Sequence, residues 1–284
     1  MEIKSVAVIG GGTMGNGIAH VFAMNNFKVN LVEVKDDLFD KAYSTISKNL
    51  DRQVKKEIIS EDQKQSTLKN IIKTIGIENI PSSVDLVIEA IFENKDAKLS
   101  IFNKLDSIVK KDSIFASNTS SISITELSTS NRPDKFIGMH FMNPVPMMKL
   151  VEIIRGYSTS NETYQTVKSL SEKLGKVPVE VFDYPGFISN RVLMPMINEA
   201  IFALMEGVAS AEDIDTVMKL GMNHPMGPLT LADFIGLDVC LAIMEVLYNG
   251  YNDSKYRACP LLKKMVAANK LGRKSGEGFF KYDK

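Results

Sequence analysis

The sequence predicts a doubly wound α/β domain followed by an all-α domain. Over the first two-thirds of the chain, strand-like apolar runs alternate with amphipathic helix-like stretches, as in sheets whose parallel strands are joined by helices. A glycine-rich turn follows the first apolar run, and only helix-like periodicity remains after the turn at residues 183–186. We place the boundary at this Pro-Gly turn, which gives domains of 1–184 and 185–284.

The N-terminal alternation begins with Ile3–Ile9, an apolar run rich in β-branched residues that is typical of a buried parallel strand. A helix pattern follows over Thr13–Asn25. The later elements are expected as a strand at Lys28–Val34, one or two helices within Leu38–Ile72, strands near Ile71–Ile75 and Asp85–Ala90, a helix at Lys95–Val109, a strand at Ile114–Ser117, a short helix near Ile122–Leu127 and a strand at Phe136–Phe141.

The C-terminal part carries apolar residues at helical spacing only. Ser210 and Asp213, three residues apart, have the spacing of a capping pair that opens a helix. The predicted helices are Phe187–Glu206, Ala211–Leu220, Leu229–Tyr248 and Pro260–Ala268.

Composition excludes several classes of protein. The 34 Lys and Arg residues balance 34 Asp and Glu residues, so the chain lacks the excess positive charge with which nucleic-acid binders neutralise phosphates. No apolar run reaches the ~18 residues of a membrane span and no signal-peptide pattern is visible, so we expect a cytoplasmic protein. Cys240 and Cys259 are too few for a disulfide framework or a Cys-rich metal site, which predicts reduced thiols and no bound metal.

The glycine-rich turn has the pattern of a dinucleotide-binding loop, G-x-G-x-x-G, between a predicted strand and a predicted helix. The first glycine permits a tight turn, the second a close approach of the pyrophosphate, and the third close packing of helix on strand. The helix N-terminus attracts the phosphates. The residues expected to bind the cofactor here are Gly10, Gly12, Thr13, Met14 and Gly15.

Glu33 supports this interpretation. It ends the next predicted strand, and its distance from Gly15 is 33 − 15 = 18 residues, close to the spacing of ~20 at which an acidic residue bonds the ribose in such domains. A carboxylate there repels a 2′-phosphate, so the sequence favours NAD over NADP and a Rossmann-type domain.

The chain has three histidines, and His140 has the most favourable surroundings for catalysis. It ends an apolar strand, and ligands bind at the carboxyl ends of strands in open α/β sheets. Glu152 lies twelve residues later, beyond a Pro-rich turn that could fold it back beside the imidazole. A carboxylate there would orient a general base for alcohol oxidation. Spacing alone leaves a catalytic and a structural role for His140 equally open, whereas His20 and His224 are expected to be structural.

The motifs together resemble those of the 3-hydroxyacyl-CoA dehydrogenase family over essentially the full chain. The matching segments are VIGGGTMG at 8–15, ASNTSS at 116–121, HFMNPVP at 140–146, DYPGFISNR at 183–191, GMNHPMGP at 221–228 and GEGF at 276–279. One departure is His224, which stands where relatives commonly carry another residue.

The resemblance implies hydride transfer between the nicotinamide of NAD and C3 of a (3S)-3-hydroxyacyl-CoA, with a short acyl group such as acetoacetyl. His140 would exchange the hydroxyl proton, and Glu152 would orient it. Ser120 would bond the substrate oxygen and contact the cofactor, and Asn190 would contact the substrate. The remaining implied contacts are Glu93, Lys98 and Lys274 to the cofactor and Lys56 to coenzyme A.

Each implied role has a simpler structural alternative. Ser120 could cap the helix near Ile122, Asn190 could satisfy backbone groups at the Pro-Gly turn, and Lys56 could be one solvated charge among many. For the whole chain, the alternatives are a dehydrogenase of the same fold acting on a hydroxyacid without coenzyme A, and a non-catalytic dinucleotide sensor. The absence of a basic DNA-reading module disfavours the sensor. We also expect a homodimer or higher homo-oligomer, formed largely through residues 186–284.

Overall fold

A computed structural model describes residues 2–129 and 131–282 of the chain. The chain forms two compact units that divide in sequence between Asp183 and Tyr184. The first unit is α/β and the second is helical, as the sequence predicts. Each unit has its own apolar core.

In the described part of the first unit, eight strands form one sheet in the order β3-β2-β1-β4-β5-β6-β7-β8. The order reverses beside β1, and this reversal creates the crevice at which doubly wound sheets bind ligands. The strands are β1 (Ser5–Ile9), β2 (Lys28–Glu33), β3 (Ile71–Ile75), β4 (Leu86–Glu89), β5 (Ile114–Ser117), β6 (Phe136–Phe141), β7 (Leu150–Arg155) and β8 (Val177–Phe182).

The sheet is mixed, which differs from the wholly parallel sheet expected from the sequence. Strands β1 to β6 are parallel, β7 runs antiparallel to β6, and β8 is parallel to β7. The reason is the short connection between β6 and β7, because a parallel pair would need a crossover of a dozen residues or more.

The helices of the first unit cover the sheet. The sequence did not predict the last helix, α6, or the strand β8 after it, although Ser160 caps that helix by accepting from the Thr163 N–H. The long charged stretch forms two helices separated by residues 56–60, and Ser60 and Gln63 make a capping box at the second. The helices are α1 (Thr13–Met24), α2 (Asp36–Lys55), α3 (Glu61–Lys69), α4 (Lys95–Leu105), α5 (Ile124–Leu127) and α6 (Asn161–Lys173).

The second unit contains the predicted helices with two corrections. The expected helix Leu229–Tyr248 is wrong as a single element, because Gly236 has φ +104° and separates two helices. The expected helix Ala211–Leu220 ends at Thr216 and passes into a π-helical turn. The Ser210–Asp213 cap is confirmed. The helices are α7 (Ser189–Met205), α8 (Ala211–Thr216), α9 (Pro228–Ile235), α10 (Leu237–Tyr251) and α11 (Pro260–Ala267).

Strand β8 forms the outer edge of the sheet. Its first residue, Val177, donates its N–H to the Lys149 carbonyl beside β7. Successive backbone groups of a strand point in opposite directions, so the nitrogen of Pro178 is directed to the free edge. Val177 and Val179 are solvent-exposed.

Within residues 2–129 and 131–282, no helix has both the length and the apolar character that crossing a membrane requires. The same part of the chain holds no group of three or more His, Cys, Asp or Glu residues that converge as metal ligands.

His20 is completely buried in α1, as expected of a structural residue. Among the described residues, neither ring nitrogen has a hydrogen-bond partner. Burial, with a smaller contribution from the Lys176 ammonium, lowers the pKa of His20 to about 4. The folded protein therefore holds this ring neutral at pH values where the unfolded chain would protonate it.

This difference in pKa makes the fold sensitive to acid. The unfolded chain protonates His20 near pH 6.5 and the folded chain near pH 4, so its contribution to stability is present above pH 6.5 and is lost as pH falls. Lowering the pH from 7.5 to 5 should therefore reduce the free energy of unfolding by about 2 kcal/mol through His20 alone. Urea unfolding at the two pH values should show a smaller loss of stability for His20→Leu than for the wild type. His224→Gln changes a partly exposed histidine and should lose as much stability between the two pH values as the wild type. Equal losses in the wild type and His20→Leu would show that His20 is not the source of the acid sensitivity.

Candidate active site

The glycine-rich turn has the geometry of a phosphate-binding loop. Gly10 has φ +90°, which favours glycine, and donates its N–H to the Val32 carbonyl at 2.9 Å. A Cβ on Gly15 would overlap the Gly10 carbonyl oxygen, so the start of α1 can pack there only as glycine. Gly12 is exposed, and a Cβ on it would have no atom of the described residues within 4 Å. The turn is therefore closed toward the sheet and open at Gly12.

The open side of the turn is the N-terminus of α1. Thr13 and Met14 form its first turn, and no side chain in the described ranges caps it at Gly12. The first N–H groups of a helix have no partner within the helix and carry partial positive charge. The first turn of α1 contains no acidic residue that would compete for an anion. These features fit the pyrophosphate of a dinucleotide.

Glu33 connects the end of β2 to this turn. Its Oε1 accepts a hydrogen bond from the Gly11 N–H at 2.5 Å, and its Oε2 accepts one from the Val34 N–H at 3.3 Å. A carboxylate has further lone pairs, so these bonds leave acceptor capacity for a ribose hydroxyl. A negative charge at the end of β2 agrees with the predicted preference for an unphosphorylated ribose.

A cavity of about 450 Å³ lies beside the glycine turn. One wall contains Gly12, Thr13 and Glu33, and another is the loop at residues 143–146. The facing wall is the polar face of α2, where Lys41, Thr45 and Asn49 recur at intervals of four residues. The cavity is thus next to the end of β6, which carries His140 three residues before the loop.

His140 and Glu152 form a buried pair. The antiparallel register of β6 and β7 sets them directly opposite each other, and Nδ1 of His140 lies 2.8 Å from Oε2 of Glu152. Glu152 is 2% exposed and His140 is 8% exposed. An ionised carboxylate can only accept, so Nδ1 carries the hydrogen and Nε2 keeps a lone pair. The pair therefore has the arrangement of a general base with an orienting carboxylate.

The serine-rich loop after β5 is organised by Glu93. Oε1 of this carboxylate accepts hydrogen bonds from the Thr119 hydroxyl at 2.5 Å and from the Ser120 and Ser121 N–H groups at 2.9 and 3.1 Å. The Ser120 hydroxyl is 3.4 Å from the same oxygen. Burial would raise the pKa of Glu93, but the Lys98 ammonium and these hydrogen bonds outweigh it and lower the pKa. An ionised Glu93 thus holds Ser120 at the carboxyl end of β5.

Lys98 is buried, which was not expected of a cofactor-contacting residue. It is 1% exposed, and its Nζ lies 2.6 Å from Oε1 of Glu89 and 3.3 Å from Oε2 of Glu93. Sequence reasoning missed Glu89, the last residue of β4, although a carboxylate inside an apolar run was the available signal. The structure thus brings Glu93, Lys98 and Ser120 into one network with Glu89.

Asp183 is a second residue that sequence reasoning missed. Its carboxylate accepts hydrogen bonds from the Ser123 hydroxyl at 2.6 Å and from the N–H groups of Ile124 and Thr125 at 3.1 and 2.8 Å. Ser123 caps α5, so the alternative of Ser120 as the cap of that helix is wrong. The serine-rich loop is therefore held by carboxylates at both ends.

Asn118 connects this loop to the histidine strand. Its side-chain oxygen accepts a hydrogen bond from the Phe141 N–H at 3.0 Å, one residue beyond His140. The ends of β5 and β6 are therefore fixed relative to each other.

Three further predicted site residues are Lys56, Asn190 and Lys274. Lys56 is exposed and follows the C-terminal end of α2. Asn190 and Lys274 belong to the second unit. Asn190 is buried in the first turn of α7, where its N–H donates to the Gly186 carbonyl. Lys274 pairs with Asp238 at the start of α10.

The chain matches known proteins over nearly its full length. Residues 5–184 match the family model for the 3-hydroxyacyl-CoA dehydrogenase NAD-binding domain, and residues 186–282 match the C-terminal domain model of the same family. A probable 3-hydroxybutyryl-CoA dehydrogenase of Deinococcus radiodurans is 57% identical over 97% of this chain and 99% of its own. One from Bacillus subtilis is 54% identical over 100% of this chain and 99% of its own. The crystal structure of the Ralstonia eutropha (S)-3-hydroxybutyryl-CoA dehydrogenase superposes with a TM-score of 0.97 at 51% identity, covering 100% of both chains.

The position of Glu33 leads to a test of cofactor choice. Replacing Glu33 by Ala should reduce the ratio of kcat/KM for NADH to kcat/KM for NADPH about ten- to a hundredfold, because it removes a charged hydrogen-bond acceptor. The loss of repulsion toward the 2′-phosphate acts in the same direction. Steady-state kinetics with both cofactors measures the ratio.

Glu33→Gln is the matched variant, because an amide oxygen can still accept from the Gly11 N–H while the charge is gone. It should lower the preference for NADH over NADPH while preserving the conformation of the glycine-rich turn. A wild-type protein that uses NADPH as efficiently as NADH would contradict the assignment of Glu33.

Proposed function

Because the chain belongs to the 3-hydroxyacyl-CoA dehydrogenase family, we propose that it interconverts (3S)-3-hydroxybutyryl-CoA and acetoacetyl-CoA. NAD supplies the hydride acceptor and donor at its nicotinamide ring. The observation that carries the proposal is the His140–Glu152 pair, a 2.8 Å contact at the carboxyl end of a strand in a dinucleotide-binding sheet. The short acyl group follows from the names of the relatives at 52–57% identity.

In this mechanism His140 transfers the proton. Nε2 accepts the 3-hydroxyl proton as the alcohol is oxidised, and the resulting imidazolium is stabilised by the Glu152 carboxylate on Nδ1. In the reducing direction the protonated ring returns the proton to the forming alkoxide. The Ser120 hydroxyl would hydrogen-bond the substrate oxygen, and Glu93 would keep Ser120 in position.

The coenzyme A arm of the substrate would lie along the α2 wall of the cavity, opposite the glycine turn and Glu33, which would hold the dinucleotide. The polar side chains of Lys41, Thr45 and Asn49 offer hydrogen-bonding groups to an amide-containing arm. Lys56, beyond the end of the same helix, would contact the phosphate-bearing end of coenzyme A.

In the second unit, Asn190 would contact the substrate and Lys274 the cofactor. We assign residues 1–184 to cofactor binding and residues 185–284 to substrate binding and dimerisation.

The decisive experiment compares a coenzyme A thioester with the corresponding free acid. Oxidation of NADH should be efficient with acetoacetyl-CoA and much slower with free acetoacetate, because most of the substrate contacts proposed here are made to coenzyme A. Equal kcat/KM for the two compounds would favour the alternative of a dehydrogenase that acts on a free hydroxyacid.

Replacing His140 tests the mechanism. His140→Gln should lower kcat by roughly 10²–10⁴, the usual contribution of general acid–base catalysis, while the Kd for NADH changes little. Glu152→Gln should also slow turnover, because a neutral amide cannot stabilise the imidazolium.

His224→Gln is the control for His140→Gln, because His224 is a partly exposed residue of the second unit. It should retain turnover. A large loss of kcat in His224→Gln together with intact turnover in His140→Gln would overturn the mechanism.

The homodimer that we propose would form through the second unit. Val217 and Leu220 belong to the π-helical turn and Met222 directly follows it; these side chains are 58%, 82% and 61% exposed. Such apolar exposure is unfavourable unless a second copy covers it. Sedimentation velocity at micromolar concentration should give a dimer, and Leu220→Asp should shift it toward monomer. A monomeric wild-type protein would contradict this assignment.

A cytoplasmic location is also part of the proposal. Cys240 and Cys259 are free and buried, as is typical of proteins in reducing compartments. Cell fractionation would test the location.

A further inference from the structure

The network at the ends of β4 and β5 contains a buried ion pair. Glu89 is 0% exposed, and its Oε1 accepts from the Lys98 ammonium at 2.6 Å and from the Ile91 N–H at 2.7 Å. Its Oε2 accepts from the Ser117 hydroxyl at 2.6 Å. Glu89 is therefore fixed on both oxygens, and the mechanism above gives it no task.

The charges of this network do not balance. Lys98 faces two carboxylates, Glu89 at 2.6 Å and Glu93 at 3.3 Å. With all three groups ionised, the cluster has a net charge of −1. The Glu89–Lys98 pair is removed from solvent and the Glu93 side chain is 36% exposed, so solvent screens the excess charge only in part and its field reaches neighbouring groups.

The cluster lies under one half of the cofactor site. A doubly wound sheet binds a dinucleotide across the point where the strand order reverses, with one mononucleotide over each half of the sheet. Glu33, at the end of β2, marks the adenosine half. The nicotinamide half is then on the side of β4 and β5, where Glu89 ends β4 and Ser117 ends β5.

We propose that Glu89, through the net negative charge it shares with Lys98 and Glu93, raises the affinity of this site for oxidised relative to reduced cofactor. The nicotinamide ring carries a positive charge when oxidised and none when reduced, while the rest of the molecule is unchanged. A negative cluster beneath the ring therefore stabilises bound NAD⁺ selectively. The inference rests on the cofactor part of the proposed function and not on the acyl-CoA substrate.

Removing the charge of Glu89 tests the proposal. In Glu89→Gln, the amide oxygen can still accept from Lys98 and Ile91, and the amide nitrogen can donate to Ser117 in place of the lost acceptor. The ratio of the Kd for NAD⁺ to the Kd for NADH should rise about tenfold, which is the effect of a unit charge about 10 Å from the ring at an effective dielectric constant of about 20. NADH is titrated by its fluorescence and NAD⁺ by competition, with no acyl substrate present.

Asp85→Asn is the matched control. Asp85 also pairs with a lysine, Lys110, at 2.5 Å, but it lies at the opposite end of β4, four residues or about 13 Å from Glu89. It should leave the Kd ratio unchanged. Ser117→Ala, which removes a hydrogen bond of Glu89 without changing charge, should also preserve the ratio even if both affinities fall.

The outcomes separate an electrostatic role from a merely structural one. A structural role predicts that Glu89→Gln weakens NAD⁺ and NADH equally, and that result would overturn the proposal. If Glu89→Gln does not fold, Glu93→Gln is the substitute variant. It also removes one negative charge from the cluster, leaves the Glu89–Lys98 pair intact, and should shift the ratio of the two Kd values in the same direction. An unchanged ratio there would also overturn it. The predicted shift in Glu89→Gln, together with a wild-type protein that does not turn over acetoacetyl-CoA, would instead support the proposal and count against the proposed substrate.

Discussion

The antiparallel pairing of β6 with β7 is the constraint on which the catalytic geometry depends. The backbone ladder, rather than the side chains, sets His140 opposite Glu152, and the 2.8 Å contact follows from that register. A slip of one residue would turn either side chain to the other face of the sheet. The chain reversal after β6 therefore fixes a base and its orienting carboxylate on adjacent buried strands.

Carboxylate side chains hold the loops of both units. Glu93 and Asp183 accept hydrogen bonds from the two ends of the serine-rich loop, and Glu33 accepts one from the glycine turn. In the second unit Asp215 accepts from the first N–H groups of α9, and Asp233 from Phe279 and Phe280. Hydrogen bonds to charged groups are stronger than those between neutral groups, so each carboxylate can order a loop that has few apolar contacts of its own.

Sequence patterns predicted the structure correctly where the residues that determine it lie close together in the sequence. The glycine turn and the pairing of His140 with Glu152 across one short connection are of this kind. The patterns failed where the surroundings come from distant residues. Apolar periodicity continues across Gly236, but the helix breaks there, and the next residue, Leu237, donates its N–H to the carbonyl of Leu271, 34 residues later in the sequence. Similarly, the burial of Lys98 depends on Glu89, whose strand pairs with one more than 20 residues away.

The outer strand of the sheet has a consequence for solubility. An unpaired strand offers N–H and C=O groups that can recruit another chain, and the exposed Val177 and Val179 would favour such contacts. Pro178 lies between them with its nitrogen toward the free edge, so the edge lacks a donor there. Glu180 adds a charge two residues further along the strand. The proline interrupts the template on which a foreign strand would dock, so the sheet ends at β8 instead of continuing into an intermolecular aggregate.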